Sequence, residues 1–131
     1  LRKTYPMNIV FRLALILVAL VAIQHLTFMV LQIFLWEHEI GRSVFKTTSE
    51  TAAVSAVLAK QQGIYNGFLA AGLIWGVLAN KRDFVIFFLL CVVTAGVFGA
   101  LTASPRILLV QSLPAVLALS AFITSHRQSD P

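Results

Sequence analysis

The segment from Phe84 to Ala103 contains no charged residue, and no other feature of the sequence constrains the fold as strongly. About 20 apolar residues in a helix cross a bilayer core about 30 Å thick. Across the chain, 59% of residues are hydrophobic and 11% are charged, against about 25% charged in an average soluble domain. A small soluble domain buries only about 60–70% of its unfolded surface and could not hide this much apolar surface. The sequence therefore predicts an integral membrane protein and excludes soluble, disordered and disulfide-stapled domains.

Four apolar segments are separated by short polar connections. The predicted spans cover about residues 9–36, 52–79, 84–103 and 107–124 of a single membrane domain, residues 1–131. The connection over residues 37–50 is a polar loop, whereas Asn80–Asp83 and Ser104–Arg106 are hairpins. Short connections between helices require antiparallel neighbours. The predicted fold is all-α, a transmembrane up-down-up-down four-helix bundle.

The distribution of basic residues predicts the orientation of these spans. The face shared by both termini and the second connection holds six Lys and Arg residues, and the opposite face holds four. The six are Arg2, Lys3, Arg12, Lys81, Arg82 and Arg127. Basic residues collect on the cytoplasmic side of a membrane. We therefore expect a multi-pass protein of the cell membrane with both termini in the cytoplasm.

Small residues recur at helical spacing in the second and third segments. Because small side chains let helices approach closely in lipid, we expect helix packing at Gly63, Gly67, Ala71, Gly72, Gly76, Ala95 and Gly99. A tight turn joins the two segments, so their stripes are expected to face each other within one chain. A homodimer seam is the alternative, since the same motif serves both kinds of contact.

Polar side chains within the spans form the candidate ligand-binding site. They are His25, Gln32, Gln62, Tyr65, Asn66 and Gln111. His25 and Gln32 share a face of the first helix, about 10 Å apart along its axis, and Gln62 and Asn66 share a face of the second. Pro114 should kink the fourth helix near Gln111. We expect these groups to converge on one polar cavity open to the extracytoplasmic side, with hydrogen-bonded structural glue as the alternative.

The sequence predicts no catalytic residue, metal ligand or cofactor. No Asp or Glu lies within the predicted spans to join His25 in a nucleophile or general-base pair. His25, His38 and His126 are scattered, and Cys91 is the only cysteine. The net charge of +5 is explained by membrane topology, and no polar segment combines basic and aromatic residues as a nucleic-acid site would.

The stretch from Gln62 to Trp75, QGIYNGFLAAGLIW, is similar to the signature of a known family. That family comprises small four-helix integral membrane proteins of bacteria and fungi, catalogued only as a domain of unknown function. The resemblance covers about residues 8–124 and implies four spans, with His25, Gln62, Tyr65, Asn66 and Gln111 on matching positions. It supplies no activity. Gln24 and Gln32 stand where acidic residues are common in the family, which argues against proton coupling in this chain.

These observations favour a membrane protein that binds or transports a small molecule through a polar intramembrane pocket. Its expected partners are membrane lipids, a small-molecule ligand and a second copy of the chain in a homodimer. The alternative is a non-catalytic membrane scaffold or accessory subunit. A membrane-embedded enzyme acting on a lipid-like substrate, with His25 as acid or base, is the third alternative.

Overall fold

Helices account for nearly all of residues 8–127, the part of the chain that the computed structural model describes. They are α1 (Ile9–Phe34), α2 (Glu39–Phe45), α3 (Ser49–Leu78), α4 (Arg82–Thr102) and α5 (Leu113–Arg127), with a π-helical segment, Leu108–Ser112, directly before α5. No strand occurs in this range, so the all-α prediction is confirmed. Arg2, Lys3 and the side chains of His126 and Arg127 lie outside the described residues. The predicted orientation, which uses these basic residues, stays a prediction.

Three helical stretches within residues 8–127 are long and apolar enough to cross a membrane: Ile9–Phe34, Arg82–Thr102 and Leu108–Ser125. They indicate a membrane protein. Helix α3 has 30 residues and is long enough to span, but Lys60, Gln61, Gln62 and Asn66 make it less apolar than the other three. The fourth span and the four-helix bundle therefore stay predictions.

The chain forms two compact units, and helices α1 and α3 contribute to both. The central unit is Ala22–Ala71, and the terminal unit comprises the residues up to Val21 and from Gly72 onward. The central unit contains the second part of α1, all of α2 and most of α3. The terminal unit contains the start of α1, the end of α3, and everything from α4 to α5.

Close helix contacts at glycine hold the terminal unit together. A Cβ at Gly76 would lie 2.8 Å from Cγ2 of Val85, and one at Gly99 would lie 3.1 Å from Cγ2 of Ile107. Gly96 lies against Ser112, whose hydroxyl donates a hydrogen bond to the carbonyl of Val93 at 3.2 Å. Helix α4 therefore packs antiparallel to the end of α3 and also to the last helical stretch, which begins near Ile107 and continues into α5.

The expected pairing of the two small-residue stripes is wrong for α4. Its buried face carries Val85, Leu89, Val92 and Gly96, which is displaced by one position from the predicted stripe through Ala95 and Gly99. Ala95 is exposed and Gly99 is half-buried, and Gly99 faces the last helical stretch rather than α3. Bulky side chains at Val85, Leu89 and Val92 define the inward face, because they fill the space between helices and make more van der Waals contacts than Ala or Gly would.

The proline in the last span changes the local helix type. Residues Leu108–Ser112 are π-helical, and the N–H of Leu113 donates to the carbonyl of Leu108, five residues back. Pro114 has no N–H, and its ring crowds the carbonyl four residues before it in an α-helix. The departure from α geometry near Gln111 that the sequence predicts therefore takes the form of a π-helical turn.

The central unit is built on an antiparallel contact between α1 and α3. A Cβ at Gly63 would lie 2.7 Å from Cγ1 of Ile33 and 3.2 Å from Cβ of Gln32, and Gly67 lies against Met29. As α3 advances from Gly63 to Gly67, its contacts on α1 move back from Ile33 to Met29. We call this contact, formed by Met29, Gln32, Ile33, Gly63, Asn66 and Gly67, the α1–α3 seam.

The predicted polar loop over residues 37–50 contains the short helix α2, which the sequence did not predict. Its Phe45 packs on Trp36, with ring centroids 5.0 Å apart. Lys46 ends α2 in the left-handed conformation with φ 52°. The hydroxyl of Thr48 then accepts a hydrogen bond from the N–H of Thr51 at 3.2 Å, which is the usual N-cap geometry and starts α3.

Near this N-terminus, the pKa of Glu50 lies below its ordinary value. The main cause is a hydrogen bond with its own backbone, supported by the Thr48 hydroxyl and by the charge of Arg42. Negative charge is favourable in the first turn of a helix. The acidic start of α3 and the basic side of α2 are thus electrostatically complementary.

We predict that Gly63→Val destabilises the chain by about 1–3 kcal/mol, because a branched side chain cannot fit the seam without displacing helix α1. Thermal unfolding in detergent micelles, followed by helical circular dichroism, measures the effect. Ala71→Val is the matched control, since Ala71 is exposed on the same helix. Equal losses of stability for the two variants would contradict the assignment of Gly63 to a close helix contact.

Candidate functional site

Three of the predicted site residues are buried within the central unit. His25 is 0% exposed, Gln32 is 8% exposed and Asn66 is 5% exposed. His25, Met29 and Gln32 follow one another at spacings of four and three, which keeps them on one face of α1. Asn66 lies between Gly63 and Gly67 on the seam face of α3. The shared helical period thus brings the polar groups into the interior of one unit.

Gln32 and Asn66 are joined by a direct hydrogen bond. Nδ2 of Asn66 donates to Oε1 of Gln32 at 2.7 Å, and the contact is buried. A side-chain amide has one carbonyl oxygen and an NH2 group with two hydrogens. The bond therefore uses the carbonyl of Gln32 and one hydrogen of Asn66. Oδ1 of Asn66 and Nε2 of Gln32 keep hydrogen-bonding capacity for a further partner.

A chain of aromatic side chains connects His25 with the connection between α1 and α3. The rings of His25 and Phe28 are nearly perpendicular, with their centroids 5.8 Å apart and an interplanar angle of 75°. Phe28 contacts Phe45 at 6.2 Å, which in turn packs on Trp36. The indole N–H of Trp36 lies 3.1 Å from the carbonyl of Ala52 and 3.1 Å from the hydroxyl of Ser55. This arrangement ties α1, α2 and the start of α3 into one hydrogen-bonded aromatic cluster.

The remaining predicted site residues do not share this environment. Gln62 is exposed, and Tyr65 is 57% exposed with its ring against Phe68 of its own helix. Gln111 is half-buried and belongs to the terminal unit. The seam face of α3 runs through Gly63, Asn66 and Ala70, and Gln62 is turned by about 100° from Gly63. The expectation that all six residues line one cavity therefore has no support for Gln62 and Tyr65.

Sequence reasoning did not single out Met29 and Ser112. Met29 lies between His25 and Gln32 on α1 and contacts Gly67 across the seam. Ser112 is buried and bonds the backbone of α4. The spacing of four and three from His25 through Met29 to Gln32 could have identified the methionine. Ser112 carried no signal, because a lone serine in an apolar helix is common.

Most charged side chains of the central unit lie at its surface, but the Nε atom of Arg42 is buried. Glu39, Lys46, Glu50 and Lys60 are exposed, and Arg42 is half-buried. The residues of the central unit that are buried include no Asp, Glu, Lys or Arg. Within residues 8–127, no group of three or more His, Cys, Asp or Glu side chains is placed to hold a metal ion. The buried polar side chains His25, Gln32 and Asn66 offer hydrogen bonding by two amides and an imidazole.

Comparison with known proteins identifies relatives but no activity. Residues 19–123 match the sequence profile of a family described as "Protein of unknown function (DUF1304)". The chain is 33% identical over 111 residues to the uncharacterized protein YpaA of Lactococcus lactis subsp. lactis (strain IL1403), covering 82% of this chain and 93% of that protein. No solved structure matches. The resemblance based on the stretch from Gln62 to Trp75, to a family of unknown function, is confirmed.

We predict that Gln32 and Asn66 are energetically coupled. In a double-mutant cycle of Gln32→Leu and Asn66→Leu, the coupling energy should be about 0.6 kcal/mol and at most about 1.7 kcal/mol, the range found for polar pairs between membrane helices. Thermal unfolding of the four proteins in micelles measures it. Gln62→Leu replaces Asn66→Leu in the control cycle and should give no coupling with Gln32. A zero value in both cycles would contradict the buried bond.

Proposed function

We propose a function for this chain from one premise: it belongs to the family of unknown function DUF1304. Because the family supplies no activity, the chain's own residues carry the proposal. The chain is a multi-pass membrane protein that binds a small, neutral, polar molecule in its central unit. His25, Gln32 and Asn66 are its binding residues.

The carrying observation is the burial of three polar side chains in helices predicted to lie in a membrane. Polar groups at membrane depth are expensive and mark functional sites by default. The bond between Gln32 and Asn66 accounts for part of this cost. Oδ1 of Asn66 and Nε2 of Gln32 retain hydrogen-bonding capacity beyond this bond, and one ligand could bond to both.

The ligand's chemistry follows from the groups available. An amide oxygen accepts and an amide NH2 donates, so the ligand carries at least one donor and one acceptor. Burying a charge without an opposite charge costs far more than burying a hydrogen-bonded neutral group. Since the charged residues of the central unit other than Arg42 are exposed, a neutral ligand is favoured.

Transport is the extension of this proposal, with α3 as the fourth span and both termini in the cytoplasm. The polar side chains of α3 favour a position against protein or water rather than lipid. Four spans enclose little volume, so passage of a molecule would require a second copy of the chain. Binding at His25, Gln32 and Asn66 does not depend on that extension.

We predict that Asn66→Leu weakens ligand binding about tenfold or more, because it removes an acceptor and leaves the ligand's donor buried without a partner. The probes are acetamide, ethylene glycol and uracil, added to the purified chain in micelles and followed by saturation-transfer NMR. Gln62→Leu, an exposed amide on the same helix, should bind as the wild type does.

Two results would contradict the binding proposal. One is equal binding by the wild type and Asn66→Leu. The other is the absence of binding by all three probes, which would leave hydrogen bonding between helices as the whole role of the cluster. Retained helicity and cooperative unfolding of Asn66→Leu establish that a loss of signal is not a loss of fold.

A second candidate function, a membrane scaffold that associates with another copy of itself, is favoured by the exposure of Gln62 and Tyr65. Both lie in the segment predicted to span, where lipid contact would leave an amide and a hydroxyl without partners. The side chain of Gln62 carries both donor and acceptor, so it is complementary to the same residue of a second copy.

We predict that the double variant Gln62→Leu/Tyr65→Phe shifts the chain from dimer to monomer. The measurement is energy transfer between two differently labelled populations reconstituted in liposomes at a low protein-to-lipid ratio. The control is Thr27→Val, which removes an exposed hydroxyl that already bonds the Ile23 carbonyl of its own helix. Energy transfer that is unchanged in the double variant would rule out this surface as the dimer contact.

A further inference from the structure

A cavity of about 160 Å³ lies in the terminal unit beside the hairpin that joins α3 to α4. Its apolar wall is formed by Phe11, Leu15, Val77, Val85 and Phe122. The rings of Phe11 and Phe122 contact each other, with centroids 6.3 Å apart. Since a single water needs about 10–15 Å³ of such space, the cavity is large enough for a chemical group rather than one solvent molecule.

The other wall of the cavity is polar and basic. It is formed by Asn80, Lys81 and Arg82, which follow one another in the hairpin. Lys81 and Arg82 line the cavity and are also exposed, so their charges are accessible from outside it. The acidic neighbour Asp83 is exposed and does not line the cavity.

Backbone geometry fixes this wall in place. Asn80 has a left-handed conformation with φ 52°. The N–H of Lys81 donates to the carbonyl of Gly76 at 2.8 Å, and the N–H of Asn80 donates to the carbonyl of Val77 at 3.2 Å. This pattern closes the end of α3 and directs the chain into α4 without a flexible loop. The basic pair therefore belongs to a rigid turn.

The combination of a basic mouth and an apolar wall matches an amphiphile that carries a phosphate. Lysine, arginine and amide N–H groups bind phosphate oxygens, and arginine can do so with two parallel hydrogen bonds. Basic residues at the end of a span also meet lipid headgroups, which attract them when the lipid is anionic. The apolar wall can contact the glycerol and the first methylene groups of a lipid. It offers no favourable contact to inorganic phosphate.

We propose that this cavity binds the phosphate headgroup of an anionic phospholipid, with Asn80, Lys81 and Arg82 holding the phosphate and Phe11 and Phe122 contacting the start of an acyl chain. The site is independent of the buried amides Gln32 and Asn66. It assigns the α3–α4 hairpin to the headgroup level of the membrane.

Native mass spectrometry of the full chain released from micelles tests the site. The chain is titrated with phosphatidylglycerol and with phosphatidylcholine of identical acyl chains, and bound lipids are counted. Lys81→Gln/Arg82→Gln should weaken binding of phosphatidylglycerol at least tenfold, since each basic residue near a lipid surface contributes a factor of about five. Lys46→Asn/Arg106→Gln removes two exposed charges elsewhere and should change binding little. Asparagine is chosen at position 46 because it tolerates the left-handed conformation there.

A cavity-filling variant separates the site from general surface attraction. Val77→Phe keeps both charges, occupies space at the cavity wall and should weaken phosphatidylglycerol binding as well. Leu15→Phe serves the same purpose should Val77→Phe fail to unfold cooperatively. Unchanged phosphatidylglycerol binding by a folded cavity-filling variant would contradict binding in the cavity and would leave electrostatic attraction at the surface as the explanation.

Two further outcomes would overturn the proposal. Equal binding of the two lipids by the wild type would mean that the headgroup is not recognised by charge. Displacement of phosphatidylglycerol by an equal concentration of inorganic phosphate would assign the site to a soluble anion instead. The expected result is that inorganic phosphate does not compete, because it makes no contact with the apolar wall.

Discussion

The close approach of α1 and α3 at Gly63 is the contact on which the central unit depends. Without a side chain at Gly63, the backbone of α3 comes near enough to α1 for Gln32 to meet Asn66 at 2.7 Å. In lipid, packing and interhelical hydrogen bonds replace the hydrophobic effect as the forces that join helices. The glycine contact and the hydrogen bond between the side-chain amides therefore act together. The glycine contact sets the distance between the helices, and the hydrogen bond pairs polar groups that this close approach buries.

Helical period and side-chain volume explain which parts of this architecture were predictable. The charge-free segment after Phe84 and the turn residues at Asn80 were sufficient to predict a helix beginning close to Arg82. The short helix α2 was not predictable, because seven residues that include Glu39 and Arg42 resemble a solvated loop. Its position depends on the contact of Phe45 with Trp36, which only the tertiary structure provides.

The candidate site was predictable in part, and the reason lies in how faces are assigned. Residues seven apart share a helix face, and His25 and Gln32 are both buried, but the same reasoning at a spacing of four also grouped Gln62 with Asn66. A helix face is about 100° wide, so a rotation of one residue decides whether Gln62 points inward. Gly63, which the sequence predicted as a packing residue, occupies the inward position beside it, and the prediction did not use that glycine to turn Gln62 outward.

The π-helical turn at Leu108–Ser112 holds one residue more than an α-helical turn would need. Such a turn acts like the insertion of one residue into an α-helix, and the extra residue is accommodated within that single turn. From its last residue onward, the buried positions Ser112, Ala115, Ala118, Phe122 and Ser125 form one regular stripe. Because the turn does not follow the α-helical repeat, α-helical spacing does not relate the face of Ile107 to the face of this stripe. The last apolar stretch thus begins with a π-helical turn and continues as α5, and Gln111 lies within that turn.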